Sequence, residues 1–318
     1  MAQATGSLTA IAIADETVYG VPAVAAQMEH IYVRSYAVQP RRALLNDDTL
    51  RPGVRTTARP DLGKIDLRGQ MGTHVAAEDS ARLFRHLMGG VSSTGSGPYT
   101  HVFSTGALPP SLTIEKDHGP ALVGSGRYAR HLGCRIASAR FGFPSDGYIT
   151  ADYEIIGAEE ALSATPLDAS IEDNGHRSFT VWNGAYLEGG TQSASLLSME
   201  LNYSNDLDAD IYPLNNGARR TQPGEGNALI TGQATFLFDS MSVLDKAISG
   251  TESSLTVTAQ RGSGDGSAGN EYVQWQLQQL MYEQTGAPIQ GPRGLQVQLS
   301  FVGYESGLQI TLKNEVAL

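Results

Sequence analysis

The sequence is poor in the residues that most chemistry requires. One cysteine, Cys134, stands among 318 residues, which excludes an intramolecular disulfide framework and a cysteine-rich metal site. Charged residues make up only 17%, with 22 basic against 33 acidic side chains and a formal net charge of -11. A general nucleic-acid binder needs a basic surface, so this balance argues against one. No run of about 18 apolar residues occurs, so no transmembrane helix is expected. Met1–Thr5 lacks a basic stretch followed by a long apolar stretch. No signal peptide is therefore expected, and the chain reads as made in the cytoplasm without export.

Catalytic motifs are missing as well. There is no Gly-x-Ser-x-Gly nucleophile elbow and no His-Glu-x-x-His pair, and no lysine ends a Gly-x4-Gly-Lys loop. Gly264-Asp265-Gly266-Ser267-Ala268-Gly269 satisfies Gly-x-Gly-x-x-Gly. Glu271–Trp275 follows it as a strand rather than a helix, so it reads as a hairpin tip and not as a dinucleotide site. The histidines at 30, 74, 86, 101, 118, 131 and 176 show no metal-ligand spacing. Cys134 reads as a small core residue.

What the sequence does contain is glycine and short alternating segments. Its 36 glycines exceed the usual share of about 7%, and 41% hydrophobic residues is too much for a disordered chain. Ile149–Ile155, Leu295–Phe301 and Leu308–Leu312 alternate apolar or small with polar residues and predict half-buried strands. Asp146-Gly147 marks a hairpin turn. Lys64–Val75 and Asn227–Phe238 also read as extended. Only two segments read as helices. Asp79–Met88 sets Leu83, Phe84, Leu87 and Met88 on one face and ends at Gly89-Gly90. Ser240–Ser249 repeats that spacing with Val243, Leu244, Ala247 and Ile248, starts at a cap from Asp239 or Ser240 and ends at Gly250.

The repetition extends along the chain. Gly53-Val54-Arg55 resembles Gly217-Ala218-Arg219, and Gly69-Gln70 resembles Gly232-Gln233 inside the long strands. Ser111–Ile114 matches Ser254–Val257, Tyr128 matches Tyr272, and Ile149, Ala151, Tyr153, Ile155 align with Leu295, Val297, Leu299, Phe301. Gly157 and Gly303 end the two units. The first copy carries an extra Val91–Pro110 segment, which reads as a surface hairpin or loop. Chance similarity among β-proteins is the competing explanation, but the conserved order and spacing favour duplication. The chain then divides into an N-terminal arm (1–27), repeat 1 (28–158), an acidic connector (159–191), repeat 2 (192–305) and a C-terminal strand or tail (306–318). Charge follows that division. Residues 159–210 hold ten acids against one base, Arg177, whereas repeat 1 holds 15 bases and 12 acids. Complementary surfaces meeting in an assembly are one reading of this, and solvated loops are the other.

With these features the chain resembles the major tail tube proteins of long-tailed, siphovirus-type bacteriophages. The resemblance rests on Thr17-Val18-Tyr19-Gly20-Val21-Pro22, the long strand with Gly69-Gln70 before a helix, Tyr99–Phe103 followed by Pro110–Glu115, and Phe236–Asp239 followed by a helix, Gly250-Thr251-Glu252 and Leu255–Val257. It covers nearly the whole chain. In the usual opening, threonine-proline follows the Tyr-Gly pair, and here Val21-Pro22 does.

The resemblance implies a mainly β fold with two tandem tail-tube-type barrel or sandwich domains, each with one short flanking helix. It implies no catalytic site, cofactor or metal. Members join strands between neighbours into rings and stack the rings into a tube in the virion. Duplication implies a homotrimer that mimics a six-fold ring. Expected partners are further copies of the chain, the tape measure, tail terminator and distal tail proteins, and DNA passing through an acidic lumen without specific binding. By position in the repeats, Arg34–Asp61 and Asn205–Gly226 are expected to be paired inter-ring loops, with Arg41, Arg42, Arg51, Arg55, Arg59, Asp206, Asp208, Asp210, Arg219 and Arg220 as contact residues, and residues 1–27 a contact arm. Another tube-like part, such as a distal tail or type VI secretion tube protein, remains an alternative. A β-sandwich carbohydrate-active hydrolase using Trp182 and Trp275, or an adhesin module, is further off.

Overall fold

The computed structural model describes residues 5–22, 27–49, 51–53, 55–192, 196–238, 241–286, 294–305 and 307–318. The first half contains β1 (Ala10–Glu16), β2 (Glu29–Ile31), β3 (Val33–Tyr36), β4 (Gln39–Leu45), β5 (Asp61–His74), α1 (Ala81–Met88), β6 (Gly89–Gly95), β7 (Tyr99–Thr105), β8 (Ser111–Asp117), β9 (Tyr128–Phe143), β10 (Thr150–Gly157) and β11 (Glu159–Ser163). The second contains β12 (Gly184–Glu188), β13 (Thr191–Gln192), β14 (Leu196–Ser204), β15 (Leu229–Leu237), α2 (Ser242–Ser249), β16 (Ser253–Gln260), β17 (Tyr272–Tyr282), β18 (Gln296–Gly303) and β19 (Leu308–Asn314). The fold is mainly β and antiparallel, a sandwich whose sheets do not close into a barrel.

Period-two patterning explains the strands. In β19, Leu308, Ile310 and Leu312 point into the core, with Gln309, Thr311 and Lys313 between them less buried. The helices follow the 3.6-residue period. Leu83, Phe84, Leu87 and Met88 of α1 are buried, and Gly89 takes a positive φ of 84° as its N–H closes on Arg85 O. α2 buries less than its sequence suggests. Leu244 and Ala247 face inwards, but Ile248 is exposed. The proposed caps Asp239 and Ser240 lie outside the described residues.

Strand pairing repeats between the halves. β1 pairs with β2 and β8, and β12 pairs with β13 and β16. β8 pairs with β9 as β16 does with β17, placing Asp117 opposite Tyr128 and Gln260 opposite Tyr272. β5 pairs with β10 as β15 does with β18, placing Gly69 opposite Ile155 and Gly232 opposite Phe301. The two glycines share a steric reason, because a Cβ would collide with the Ala37 carbonyl at Gly69 and with the Phe301 ring at Gly232.

Three segments need correction. The arm supplies β1, a strand with Ile11–Ala14 buried. The connector supplies β11, paired with β9, and β12, paired with β16. The C-terminal strand expected at Leu308–Leu312 is present as β19, paired with β17 as β11 is with β9. All are integral strands, because each satisfies backbone groups of a neighbour that would otherwise be buried unpaired. The extra segment does form a hairpin, β6–β7, but it is no surface addition. β7 pairs with β19 of the other half, and His101 and Phe103 are fully buried.

The halves are fused along one sheet. The N-terminal part of β9 pairs with β8 and β11, while its C-terminal part lies between β10 and β14. The β9–β14 joint runs from Met199 opposite Phe143 to Ser204 opposite Ser138. The result is a run ordered β4–β5–β10–β9–β14–β15–β18–β17. One core crosses the joint. The Trp275 ring of β17 lies 5.7 Å from Phe141 and 5.0 Å from Phe143 of β9, and Phe84 of α1 lies 6.0 Å from Phe141.

Candidate functional site

Two loops and one sheet face carry the candidate contact residues and the charges around them. No cluster of three or more His, Cys, Asp or Glu able to hold a metal occurs among the described residues. Cys134 is fully buried, and burial pushes its thiol well above the usual value. No helix among the described residues is long and apolar enough to cross a membrane.

The first loop belongs to the β4–β5 hairpin. Every residue of β4 is exposed, and among the described residues β4 is an edge strand that pairs with β5 alone. Arg41, Arg42, Arg51, Arg55 and Arg59 are all exposed. Arg42 Nε donates to Gly63 O at 3.0 Å, and Arg51 lies 3.4 Å from Asp47. Arg41, Arg55 and Arg59 make no hydrogen bond or ion pair through their side chains among the described residues. Leu44, Leu45 and Leu62 are exposed on the same hairpin.

The second loop, 205–226, lies against the first half. Asn205 Nδ2 donates to Leu87 O at 2.8 Å and Ile136 O at 3.0 Å, and Ile65 N–H donates to Ala218 O at 2.8 Å. Arg135 of β9 donates to Pro223 O and Glu225 Oε1 on the loop, and to Pro109 O and Pro110 O on its own half. Asp206 and Asp208 are exposed and make no ion pair among the described residues. Asp210 approaches Lys64 at 3.6 Å and Arg68 at 3.7 Å, and Arg219 pairs with Glu159 at 2.8 Å. Part of the charge complementarity read from sequence is therefore spent inside the chain.

The role given to Arg220 is corrected. Its side chain has no exposed surface, so it offers nothing to another molecule. The guanidinium spreads over Gly157 O at 2.9 Å, Leu67 O at 3.3 Å, Asp66 Oδ1 at 2.6 Å, Tyr212 Oη at 2.9 Å and the Ala209 carbonyl. A planar fork with five donors suits such a cage. Burial alone would raise the Asp66 carboxyl, but hydrogen bonds from Arg68 and Arg220 outweigh it and hold Asp66 below its ordinary value.

Glu16 was not found from sequence. It is buried and accepts from Ser111 Oγ at 2.6 Å, Thr113 Oγ1 at 2.7 Å, Gly133 N–H at 3.0 Å and Gly20 N–H at 2.7 Å. It thereby fixes the Thr17–Pro22 box as a tight turn, with a Val18–Val21 bridge and Gly20 at φ 72°. Tyr19 of that box packs on Gly133, where a Cβ would stand 3.0 Å from its ring. A carboxylate closing the apolar run Ala10–Ala14 is the only local signal.

The third surface is the polar face of the fused sheet. Successive strands bring Gly72, Asp152, Arg140, Asn202, Thr231 and Val302 into one row, and Thr150, Gly142, Glu200, Gln233 and Ser300 into another. Arg140 reaches Asp152 at 3.4 Å and Glu200 at 3.8 Å, the latter across the joint. Leu201, Tyr153, Phe141, Ala234 and Leu299 on the opposite face are buried. A two-faced sheet of this kind has one side for the core and one for water.

No curated protein matches the chain. The sequence model of the family described as phage tail tube protein matches residues 6–303, from just before β1 to the end of β18. Over that span the chain belongs to the phage tail tube protein family.

Proposed function

We propose that the chain is a structural, non-catalytic subunit of a hollow phage tail tube, in which three copies form a ring that mimics six-fold symmetry. The β9–β14 joint carries this reading. It merges equivalent sheets of two tandem tube repeats, and the same kind of merger between chains continues the sheet around a ring. Ring closure removes the sheet edges that an isolated chain leaves open. Rings then stack through the β4–β5 hairpin, with Arg42, Arg51, Arg55 and Arg59 facing acidic groups such as Asp206 and Asp208. The polar sheet face lines the lumen. Arg34 and Arg140 are both tied to Asp152 there, and Arg140 to Glu200 as well, so these cations offer phosphates little counterion-release energy and DNA slides without being held. Tape measure, tail terminator and distal tail proteins are the partners at the ends of such a tube, which is assembled in the host cytoplasm and conducts the genome at ejection.

Electron cryomicroscopy of the purified, assembled protein tests the reading. Hollow tubes with three chains per ring are expected, and rings of six chains or discrete unstacked rings would overturn it. Arg55→Glu should shorten the tubes while leaving the melting temperature of the monomer unchanged.

A further inference from the structure

The internal joint has counterparts at both free edges of the fused sheet. The eight-strand run ends at β3–β4 on one side and at the C-terminal end of β17 on the other, and neither edge is paired outwards among the described residues. These ends are the counterparts of the two strands already joined. Tyr36 faces Met71 and Gln39 faces Arg68, which sets Val38 opposite Gly69; Leu201 faces Gly232. Val38 and Leu201 are both buried. β3–β4 therefore stands to β5 as β14 stands to β15. At the other end, Ser138 lies beside Glu154, which faces Gln70, and Glu283 N–H donates to Ser300 O, where Ser300 faces Gln233. Glu283 thus occupies the place of Ser138.

We infer that residues 283–286 of one chain pair antiparallel with residues 38–41 of a second copy, in the register that the β9–β14 joint shows. The inference rests on the ring reading above. Translating that register puts Arg41 opposite Glu283, Gln39 opposite Thr285 and Val38 opposite Gly286. Two exposed opposite charges, neither with an ion pair among the described residues, then face each other on the polar side of the sheet. Ala37 N–H donates to Gln70 O, so the alternate residues 39 and 41 also turn towards β5. Arg41 and Glu283 therefore form a non-hydrogen-bonded pair, in which side chains stand closest. Pro40 occupies the place of Tyr203. It lacks the N–H that Tyr203 turns towards β9, as Asn205 does to Ala137 O. Over these four residues the joint between chains has one ladder bond fewer than the matching stretch within the chain, and a free edge with proline is protected against indiscriminate strand addition.

Cysteine pairs read the register in assembled tubes, since a disulfide needs Cβ atoms about 3.5–4.5 Å apart and Cys134 is buried. Arg41→Cys with Glu283→Cys should oxidise to covalent closed rings. Arg41→Cys with Thr285→Cys, two residues out of register, should stay monomeric on non-reducing gels. Cross-linking in the second variant, or in neither while tubes still form, overturns the register and leaves the tube reading intact. Failure of the unaltered protein to form tubes overturns the tube reading itself. If the cysteine variants do not assemble, charge exchange decides. Arg41→Glu or Glu283→Arg alone should raise the concentration needed for assembly about tenfold, and the double exchange should restore it. Equal loss in all three variants overturns the pairing.

Discussion

Replacing Arg220 by methionine tests how the second-half loop is held to the first half. The side chain volume is nearly kept, but the charge and all five hydrogen-bond contacts are lost. Removing one partner of a buried ion pair costs about 3–5 kcal/mol. Asp66 keeps Arg68 Nε at 2.8 Å and is 25% exposed, so it retains one cation and some water. The expected loss falls to about 2–3 kcal/mol. At about 2–4 °C per kcal/mol for chains of this order of size, the melting temperature by scanning calorimetry should drop by about 4–12 °C at pH 7.

The pH dependence separates an electrostatic cause from lost packing. Asp66 is held below its unfolded value in the folded chain. Its contribution is therefore fully present above the unfolded carboxyl range, about pH 4, and is lost as pH falls through the lower folded value. The gap in melting temperature between unaltered protein and Arg220→Met should narrow from pH 7 to pH 3. Arg220→Lys should recover part of the gap, because an ammonium keeps the charge but not the fork. A drop below about 1 °C, or a gap that stays constant with pH, would refute the clamp.

Three further outcomes follow from particular residues. Gly69→Ala and Gly232→Ala should each destabilise by about 1–3 kcal/mol through overpacking, read as a lower denaturant midpoint, whereas Gly126→Ala, with nothing within 4 Å of its Cβ, should leave the midpoint in place. Glu16→Gln presents an amide N–H₂ to four donors and should speed hydrogen exchange across residues 17–22, measured by mass spectrometry; unchanged exchange there would show that the box holds without it. Cys134 should stay unreactive to a thiol reagent in the folded protein at pH 8 and react at once in denaturant, since burial both shields it and holds the thiol protonated.

Much of this fold is legible in the sequence wherever the cause is local. Alternation marked the central strands, and glycine at the ends of α1 and α2 marked where a positive φ lets the chain turn. The paired glycines of the two halves were legible because steric needs recur. Gly69 and Gly232 are both required by a neighbouring group that crowds the strand, so the same residue returns at the same place. Partnership was not legible. Glu159 and Glu160 read as solvated connector, yet they pair with Leu132 and His131 of β9. Arg219 and Arg220 are adjacent and chemically identical, but one is 49% exposed and the other has no exposed surface. Nothing local distinguishes them, since the carbonyls that enclose Arg220 come from Leu67 and Gly157. The same holds for Glu16, whose donors at Ser111, Thr113 and Gly133 lie about a hundred residues away.

The two halves share a frame but not their contacts, and the differences bear on assembly. Within the chain, the joint has an unbroken ladder from Met199 to Ser204, the Arg140–Glu200 bridge, the Trp275 ring against Phe141 and Phe143, and the Arg220 clamp. β7 adds a second bond between the halves through β19, a position beside which β11, the counterpart of β19, pairs with no further strand among the described residues. Six identical copies could not place such a hairpin at every second contact, whereas a fused pair can. In the proposed ring, folding thus completes the stronger joint inside each chain, and the weaker joint, interrupted by Pro40, is left for association. A strand edge that pairs weakly alone but closes three-fold favours the complete ring over open chains of subunits, because only closure satisfies every edge.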